Sequence, residues 1–432
     1  MESLELYYGR IFTSKQLSEV EKVKAEKIDS MFKIGRHWYC QRCRMKIDLN
    51  NKLPSGKYYC RECLIFGRNE SDDFLYFFDS LPFEAGTYLK WQGQLTQYQE
   101  AVSQQLLKYF KNNQRSLVHA VTGAGKTEMI YQLIAYVLEK GGWLCLACPR
   151  VDVCIELEKR ISRDFSCSVT LMHAHSESYQ RNPIIIATTH QLLKFYRAFD
   201  LIIIDEVDAF PFVNNEMLNQ ALENALAPSG KIVYLTATST KKLDKDVKNG
   251  RCQGITLARR FHNNPLVLPE FQLVLSLSEK LKRHKLPRNI KKQLKQQRLS
   301  KHPLLIFFPI IEDGQLFQDL LTTHFPDEQI AFVSSESEER AELIESFRNK
   351  EISILISTTI LERGVTFPGV DVFVILANHR LYNASSLIQI AGRVGRSIER
   401  PEGKLLFFHE GISVAMIKAK SEIIKMNKIA YG

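Results

Sequence analysis

Residues 120–127 read Ala-Val-Thr-Gly-Ala-Gly-Lys-Thr, directly after the apolar run Ser116-Leu117-Val118-His119 and before a helical pattern. A strand, a glycine loop and a helix in that order restrict the fold to a sheet whose strand ends meet helix N-termini. Gly123 and Gly125 let the backbone curl so that the N–H groups of Thr122 to Gly125, Ala124 included, face phosphate oxygens. Lys126 is long enough to reach β- and γ-phosphates, and the Thr127 hydroxyl suits Mg²⁺. Ala120 stands where the usual pattern begins with glycine.

Residues 201–208, Leu-Ile-Ile-Ile-Asp-Glu-Val-Asp, look like a buried parallel strand that delivers carboxylates to its C-terminal edge. Asp205 is placed to hold Mg²⁺ and Glu206 to orient or deprotonate an attacking water. The other reading of these acids is a cap for a helix over 213–225. Residues 389–396, Gln-Ile-Ala-Gly-Arg-Val-Gly-Arg, put Arg393 and Arg396 three apart, on one face if the segment is helical. A rigid cationic fork suits charge developing on a γ-phosphate. Two glycines inside a helix would cost about 1 kcal/mol each, so Gly392 and Gly395 call for a purpose.

Buried-strand patterns at 116–120, 143–148, 168–172, 184–188, 201–205 and 231–236 alternate with helical stretches. The same rhythm returns at 303–309, 329–333, 352–357, 371–376 and 404–408, followed by a helix over 410–428. The expected class is α/β, with two parallel-sheet lobes. The division reads as an N-terminal extension 1–35, a cysteine module 36–68, a connector 69–90, lobe one 91–262, a basic linker 263–302 and lobe two 303–432. A helix is expected near 14–32. Residues 280–301 hold ten Lys or Arg and no acid, which fits either a solvated basic helix or linker, or a surface that tracks a nucleic-acid strand.

Cys40 and Cys43, then Cys60 and Cys63, have the spacing of a four-thiolate Zn²⁺ ribbon. Such a module is too small to bury a core and is expected to fold only with metal; its loss is expected to stay local. Its rim carries Arg36, His37, Trp38, Tyr39, Arg42, Arg44, Lys46, Lys57, Tyr58, Tyr59 and Arg61. These either grip a single strand through phosphates and base stacking or simply pack and solvate the ribbon. Cys145 and Cys148 mimic a further pair, but lie within a strand and read as core. His173 and His175 read as a surface loop. A net charge of +10 favours a polyanionic partner, and nine cysteines with a thiolate site suit a reducing, cytoplasmic setting. No stretch has the length of a membrane span and no signal peptide opens the chain, which leaves open attachment at the inner face of a membrane.

Taken in order, these segments resemble the superfamily 2 helicases and translocases over roughly 90–410. The resemblance implies two RecA-like lobes and an ATP-hydrolysing enzyme with ATP and Mg²⁺ as cofactors. It puts adenine on Gln99 in Leu95-Thr96-Gln97-Tyr98-Gln99, and strand contacts on Pro149 and Arg150, on Thr188 and Thr189, and on Thr358 and Thr359. It assigns coupling to Thr236-Ala237-Thr238 and catalytic roles to Lys126, Glu206, Gln389, Arg393 and Arg396. Gly364 follows in the fifth motif, where Thr366 stands in place of the Asp of many relatives.

A four-cysteine module before a compact two-lobe motor is similar to the ComFA family. Tyr8-Gly9-Arg10, the cysteine pairs, Thr358–Pro368 and Gln389–Arg396 carry that similarity. It implies a DNA-dependent ATPase that draws transforming single-stranded DNA through a membrane channel, with ComFC, DprA and the ComEC channel as partners. Alternatives are a PriA-like replication-restart helicase, whose cysteines would fall in lobe two, a nucleotide-regulated DNA-binding adaptor without a motor cycle, and an RNA helicase.

Overall fold

The computed structural model describes residues 4–432 and falls into two compact units. One takes the residues up to His119 together with Lys126–Thr256; the other takes Ala120–Gly125 with Leu257–Gly432. The expected boundary at 262 therefore lies a few residues late, and the first six residues of the phosphate loop group with the second unit.

The first unit opens with β1 (Ile11–Thr13), β2 (Glu26–Asp29), β3 (Met31–Ile34), β4 (His37–Cys40) and β5 (Phe74–Phe77). β5 sits between β1 and β2 in an antiparallel sheet, so the N-terminal extension and the connector fold together. The helix expected near 14–32 is only Glu19–Lys24, started by a capping box of Ser18 and Glu21. Pairing of Glu26–Asp29 with β5 overrides the helical preference of that stretch. β3 and β4 form a hairpin that pairs Met31 with Cys40, so the ribbon starts before residue 36.

The main sheet has the order β12-β6-β11-β10-β7-β9-β8, with β6 (Ser116–Ala120), β7 (Leu144–Cys148), β8 (Val169–Met172), β9 (Ile184–Thr188), β10 (Phe199–Ile204), β11 (Leu226–Thr236) and β12 (Gln253–Leu257). The pairs from β6 to β8 are parallel. β7 and β9 are buried along their whole length, as continuous apolar runs covered on both faces must be. One row crosses six strands: Leu117, Tyr234, Ile204, Ala147, Ala187 and Met172. In-register parallel strands leave the sheet on the same side, so the segments after Ala120, Thr236, Ile204, Cys148 and Thr188 all emerge at one edge.

The core of this sheet is continuous with the ribbon. Cys40, Cys43, Cys60, Cys63, Ile47 and Phe66 belong to the same buried cluster as Trp143, Phe199, Leu218 and Leu222. The helix Glu216–Ala225 forms the seam, where Asn224 Nδ2 donates to the Arg42 carbonyl at 2.7 Å. The module is thus an integral part of the unit.

The second unit holds a sheet ordered β13-β18-β17-β14-β16-β15, parallel throughout. Its strands are β13 (Glu270–Leu273), β14 (Leu304–Phe307), β15 (Ile330–Val333), β16 (Ile354–Ser357), β17 (Asp371–Val374) and β18 (Leu405–His409). The stretch 263–302 is part of this fold: it supplies β13 and the helices Leu277–Lys282 and Arg288–Arg298. Leu277, Leu281, Ile290 and Leu294 are buried in the core with Phe308, Phe317 and Phe373, while most of the cations are exposed and Arg298 pairs with Glu328 at 2.9 Å. The final helix is Val414–Tyr431.

Candidate nucleotide site, strand-contact loops and metal centre

At the edge of the first unit, Lys126 begins the helix after the phosphate loop and its Nζ lies 3.8 Å from Asp205 Oδ1. The Asp205 N–H donates to the Ala147 carbonyl at 2.9 Å, which ties the turn to the neighbouring strand. The Glu206 N–H donates to Asp205 Oδ1 at 2.8 Å. Glu206 adopts φ +55°, a left-handed conformation that costs a non-glycine residue about 1–2 kcal/mol. Such strain collects where a side chain has to be aimed.

Asp208, passed over by sequence reasoning as a candidate site residue although it ends the Asp-Glu-x-Asp stretch, links this turn to β11. Thr236 Oγ1 donates to Asp208 Oδ1 at 2.7 Å, and Thr238 Oγ1 donates to Asp208 Oδ2. The Thr238 N–H donates to Thr236 Oγ1 at 3.0 Å, and His119 Nε2 lies 3.1 Å from the Ala237 carbonyl. One carboxylate therefore fastens both threonines of Thr-Ala-Thr to the acidic turn.

Gln99 is buried at the first turn of the helix Gln97–Lys111, where its Oε1 accepts from the Thr96 N–H at 2.9 Å in a capping box. The amide oxygen is thus committed to the backbone. Thr188 and Thr189 are buried, Thr189 completely, and Pro149 is buried beside a half-buried Arg150. The hydrogen bond that Cys148 shares with Cys154, together with burial, raises the Cys148 pKa well above the ordinary thiol value. Burial does the same to Cys145. Both are core thiols, as their strand position implies.

In the second unit, Gly123 and Gly125 take φ +78° and +72°, while Ala120 is buried and outside the left-handed region. The first loop position therefore has no need of glycine. Ser357 ends β16, Thr358 is nearly buried, and Thr359 opens a short turn to Glu362. Gly364 follows at φ +80°. Arg363 is buried, its Nε 3.6 Å from Glu362 Oε1 and its Nη2 donating to Ser385 Oγ at 3.0 Å. Ser386 Oγ donates to Glu362 Oε2.

The helix Ala384–Ala391 carries a buried Gln389 and ends at Gly392, so the two arginines do not share a helix face. Arg393 is buried; Arg396 is half-exposed, with Nε donating to the Gly392 carbonyl at 2.7 Å and Nη1 3.5 Å from Thr366 Oγ1. The chain turns here because the glycines allow it. Gly395 sits at φ +69°, where a Cβ would come within 2.2 Å of the Pro401 carbonyl oxygen, and a Cβ on Gly392 would meet Thr122. Arg260, which no sequence pattern singled out, is buried against this turn.

The four ribbon cysteines are buried, and their sulfurs lie within 4.8 Å of one another. Cys40 Sγ is 3.7 Å from Cys63 Sγ, and Cys43 Sγ is 3.6 Å from Cys60 Sγ. A tetrahedron with metal–sulfur bonds of about 2.3 Å has edges of about 3.8 Å. A disulfide would need about 2.05 Å. The donor set therefore fits a metal ion held by four thiolates. Asn69 Nδ2 donates to Cys40 Sγ at 3.1 Å, a support for one ligand from outside the set. The rim is less uniform than its residue types imply. Arg42 is buried and donates to the Phe66 carbonyl at 2.8 Å, so it serves the ribbon's interior. Lys33 lies over the Trp38 ring and Arg44 over Phe32.

Two parallel-sheet lobes with these loops at the strand ends define an ATP-hydrolysing superfamily 2 helicase-like enzyme. The family models agree: residues 92–241 match "Type III restriction enzyme, res subunit" and residues 282–398 match "Helicase conserved C-terminal domain". Mycobacterium smegmatis helicase Lhr, solved with ssDNA and AMP-PNP, shares the fold at a TM-score of 0.56 and 15% identity, over 78% of this chain and 50% of that one. The competence protein ComFA of Streptococcus pneumoniae is 52% identical over 98% of both chains. Its Bacillus subtilis counterpart is 33% identical over 91% of this chain and 87% of that protein. The chain belongs to the ComFA family. Among the described residues no helix is long and apolar enough to cross a membrane.

Proposed function

We propose that the chain is an ATP-driven translocase on single-stranded DNA that helps import transforming DNA during competence. The observation that carries this reading is the convergence at one sheet edge. Lys126, Asp205 and Glu206 emerge there beside Thr236–Thr238, and Asp208 is bonded to both of those threonines. A change in the acidic turn on hydrolysis would be felt at once in the Thr-Ala-Thr segment, which is what a motor requires.

In this reading the phosphate loop, from Ala120 to Thr127, and Lys126 hold the triphosphate. Thr127 and Asp205 are the Mg²⁺ ligands, whose bound ion would neutralise phosphate charge. Glu206 takes a proton from, or orients, the attacking water. Gln389, Arg393 and Arg396 act on transition-state charge, and Gly364 lets the backbone approach the nucleotide. Gln99 reads adenine with its amide nitrogen, since its oxygen caps a helix. Pro149, Arg150, Thr188, Thr189, Thr358 and Thr359 line the strand path, the buried ones through backbone groups. Cys40, Cys43, Cys60 and Cys63 hold zinc as a structural centre. ComFC, DprA and the ComEC channel are the partners this reading implies, in the cytoplasm at the inner face of the membrane.

ATPase rate measured in parallel with single-stranded DNA, duplex DNA and RNA tests the reading. Single strands of DNA are expected to stimulate most. Equal rates with and without DNA at low and high salt would remove the motor and leave the adaptor. Preference for RNA would redirect the substrate, because the two strands differ by the 2′-hydroxyl.

A further inference from the structure

Arg260 is 2% exposed, and both terminal nitrogens of its guanidinium face backbone carbonyls of one turn, while Nε is buried without a partner among the described residues. Nη1 donates to the Val394 carbonyl at 2.8 Å and to the Gly395 carbonyl, and Nη2 lies 3.4 Å from the Gly392 carbonyl. Two residues on, His262 Nε2 lies 2.9 Å from the Gly395 carbonyl. These carbonyls bracket Arg393 and lead into Arg396. Between them, the Phe261 N–H donates to the Gly123 carbonyl at 3.1 Å, and the Arg260 side chain fills the space beside Gly123. Burial, with Arg396 nearby, lowers the Arg260 pKa. Burying a guanidinium is costly, and the carbonyls of this turn are what offset that cost at its two terminal nitrogens.

We infer that Arg260 is a positioning residue for hydrolysis: it fixes the 392–395 turn, and through it the two arginines, in register with the phosphate loop. The inference rests on the proposed role of Arg393 and Arg396. The five donors of the guanidinium fork span several carbonyls at once; a lysine at the same place supplies one ammonium with no fixed fork. A misplacement of about 1 Å at a reacting centre can cost about 10²-fold in rate.

The test is a double-mutant cycle on the full chain with single-stranded DNA, using Arg260→Lys with Arg393→Ala and, separately, Arg396→Ala. Arg260→Lys is expected to lower kcat by about 10–10²-fold with KM for ATP changed less than threefold. Combined with the arginine variant through which it acts, it should produce little further loss, because the turn then has nothing left to position. Effects that multiply in both backgrounds, or a wild-type kcat in Arg260→Lys, would overturn the inference while leaving the arginine reading intact. If neither arginine single variant slows hydrolysis, the arginine reading fails and Arg260 falls with it. Arg260→Gln, which keeps a planar donor without charge, guards against a folding defect. A folded Arg260→Gln with normal kcat would also overturn the inference.

Discussion

The two sheets solve the problem of a core differently. In the second unit the interior is closed by its own apolar side chains, Leu304, Ile306, Phe308, Phe317 and Phe373 among them. In the first, the buried cluster runs from the sheet through the helix Glu216–Ala225 into the four cysteines. That helix follows the acidic turn at 205–208 by only a few residues. The four-cysteine cluster of the first unit is therefore packed into the support of the sheet edge that carries Lys126, Asp205 and Glu206, and loss of a metal held there should not stay local.

The largest expected effect tests that difference directly. In Cys60→Ser/Cys63→Ser, elemental analysis should find no zinc. Structural zinc contributes on the order of 10 kcal/mol to small modules, far more than ribbon packing can replace. Hydrogen exchange should quicken over residues 31–71 and also in the helix 216–225, while the strands at 304–307, 354–357 and 371–374 keep their protection. Exchange confined to the ribbon would show that the shared core is dispensable and the comparison wrong.

Chemistry can be removed without touching either core. Glu206→Gln should hold ATP but stall turnover, and Lys126→Ala should lose phosphate binding. Loss of a transition-state group typically costs about 3–4 kcal/mol, or 10²–10³ in kcat. Both variants should unfold like the wild type by chemical denaturation. Turnover by Glu206→Gln at the wild-type rate would dismiss Glu206 as the group that handles the water.

Much of this was readable in the residues because it depends on local pattern. A short, β-branched apolar run such as Leu201–Ile204, in a chain that alternates such runs with helical stretches, reads as a buried strand from its own residues, and the Asp-Glu that follows then leaves at the strand's end. Cysteines three apart, with two residues between them, can close on one metal whatever surrounds them. What could not be read depends on distant partners. Glu26–Asp29 became a strand because Phe74–Phe77 lies beside it. The 280–301 stretch looked like solvated charge, yet Ile290 and Leu294, four apart on one helix, and Leu281 on the helix before it seat the stretch on a core. Arg393 and Arg396 looked like a helix face, but the helix ends at Gly392 and Gly395 turns the chain between them. Arg42 and Arg260 resemble any surface cation in sequence; only the carbonyls they meet, at 66 and at 394–395, give them a role.

A smaller perturbation sharpens the seam itself. Asn224 donates to the Arg42 carbonyl at 2.7 Å and reaches the Gln41 carbonyl at 3.5 Å. Asn224→Ala leaves that buried carbonyl short of a partner, at a cost of about 1–2 kcal/mol. If the ribbon and the sheet share one core, this change should both lower the stability of the first unit and speed zinc release to a chelator. Unchanged chelation kinetics alongside a lower stability would mean that the seam braces the helix alone.

The smallest effect concerns acid. Glu70, which flanks the ribbon, accepts from Lys15 Nζ at 2.6 Å and from Arg68 Nε at 2.7 Å. The hydrogen bond from Lys15 dominates and, with help from Arg68 against the opposing effect of burial, holds the Glu70 carboxyl below the usual range. A depressed folded-state pKa means that the unfolded chain takes up the proton first. The contribution of Glu70 is therefore complete above the unfolded value of about 4.3 and fades as pH falls through it toward the lower folded value. Both cationic partners are well exposed, so solvent screening limits the gain to no more than about 1 kcal/mol. Zinc thiolates also protonate in acid, and a single stability curve would mix the two. The difference between wild type and Glu70→Gln subtracts the metal. That difference should be constant above about pH 5.5 and shrink below about pH 4.3. A difference that grows on acidification would reverse the sign and remove Glu70 from the ribbon's support.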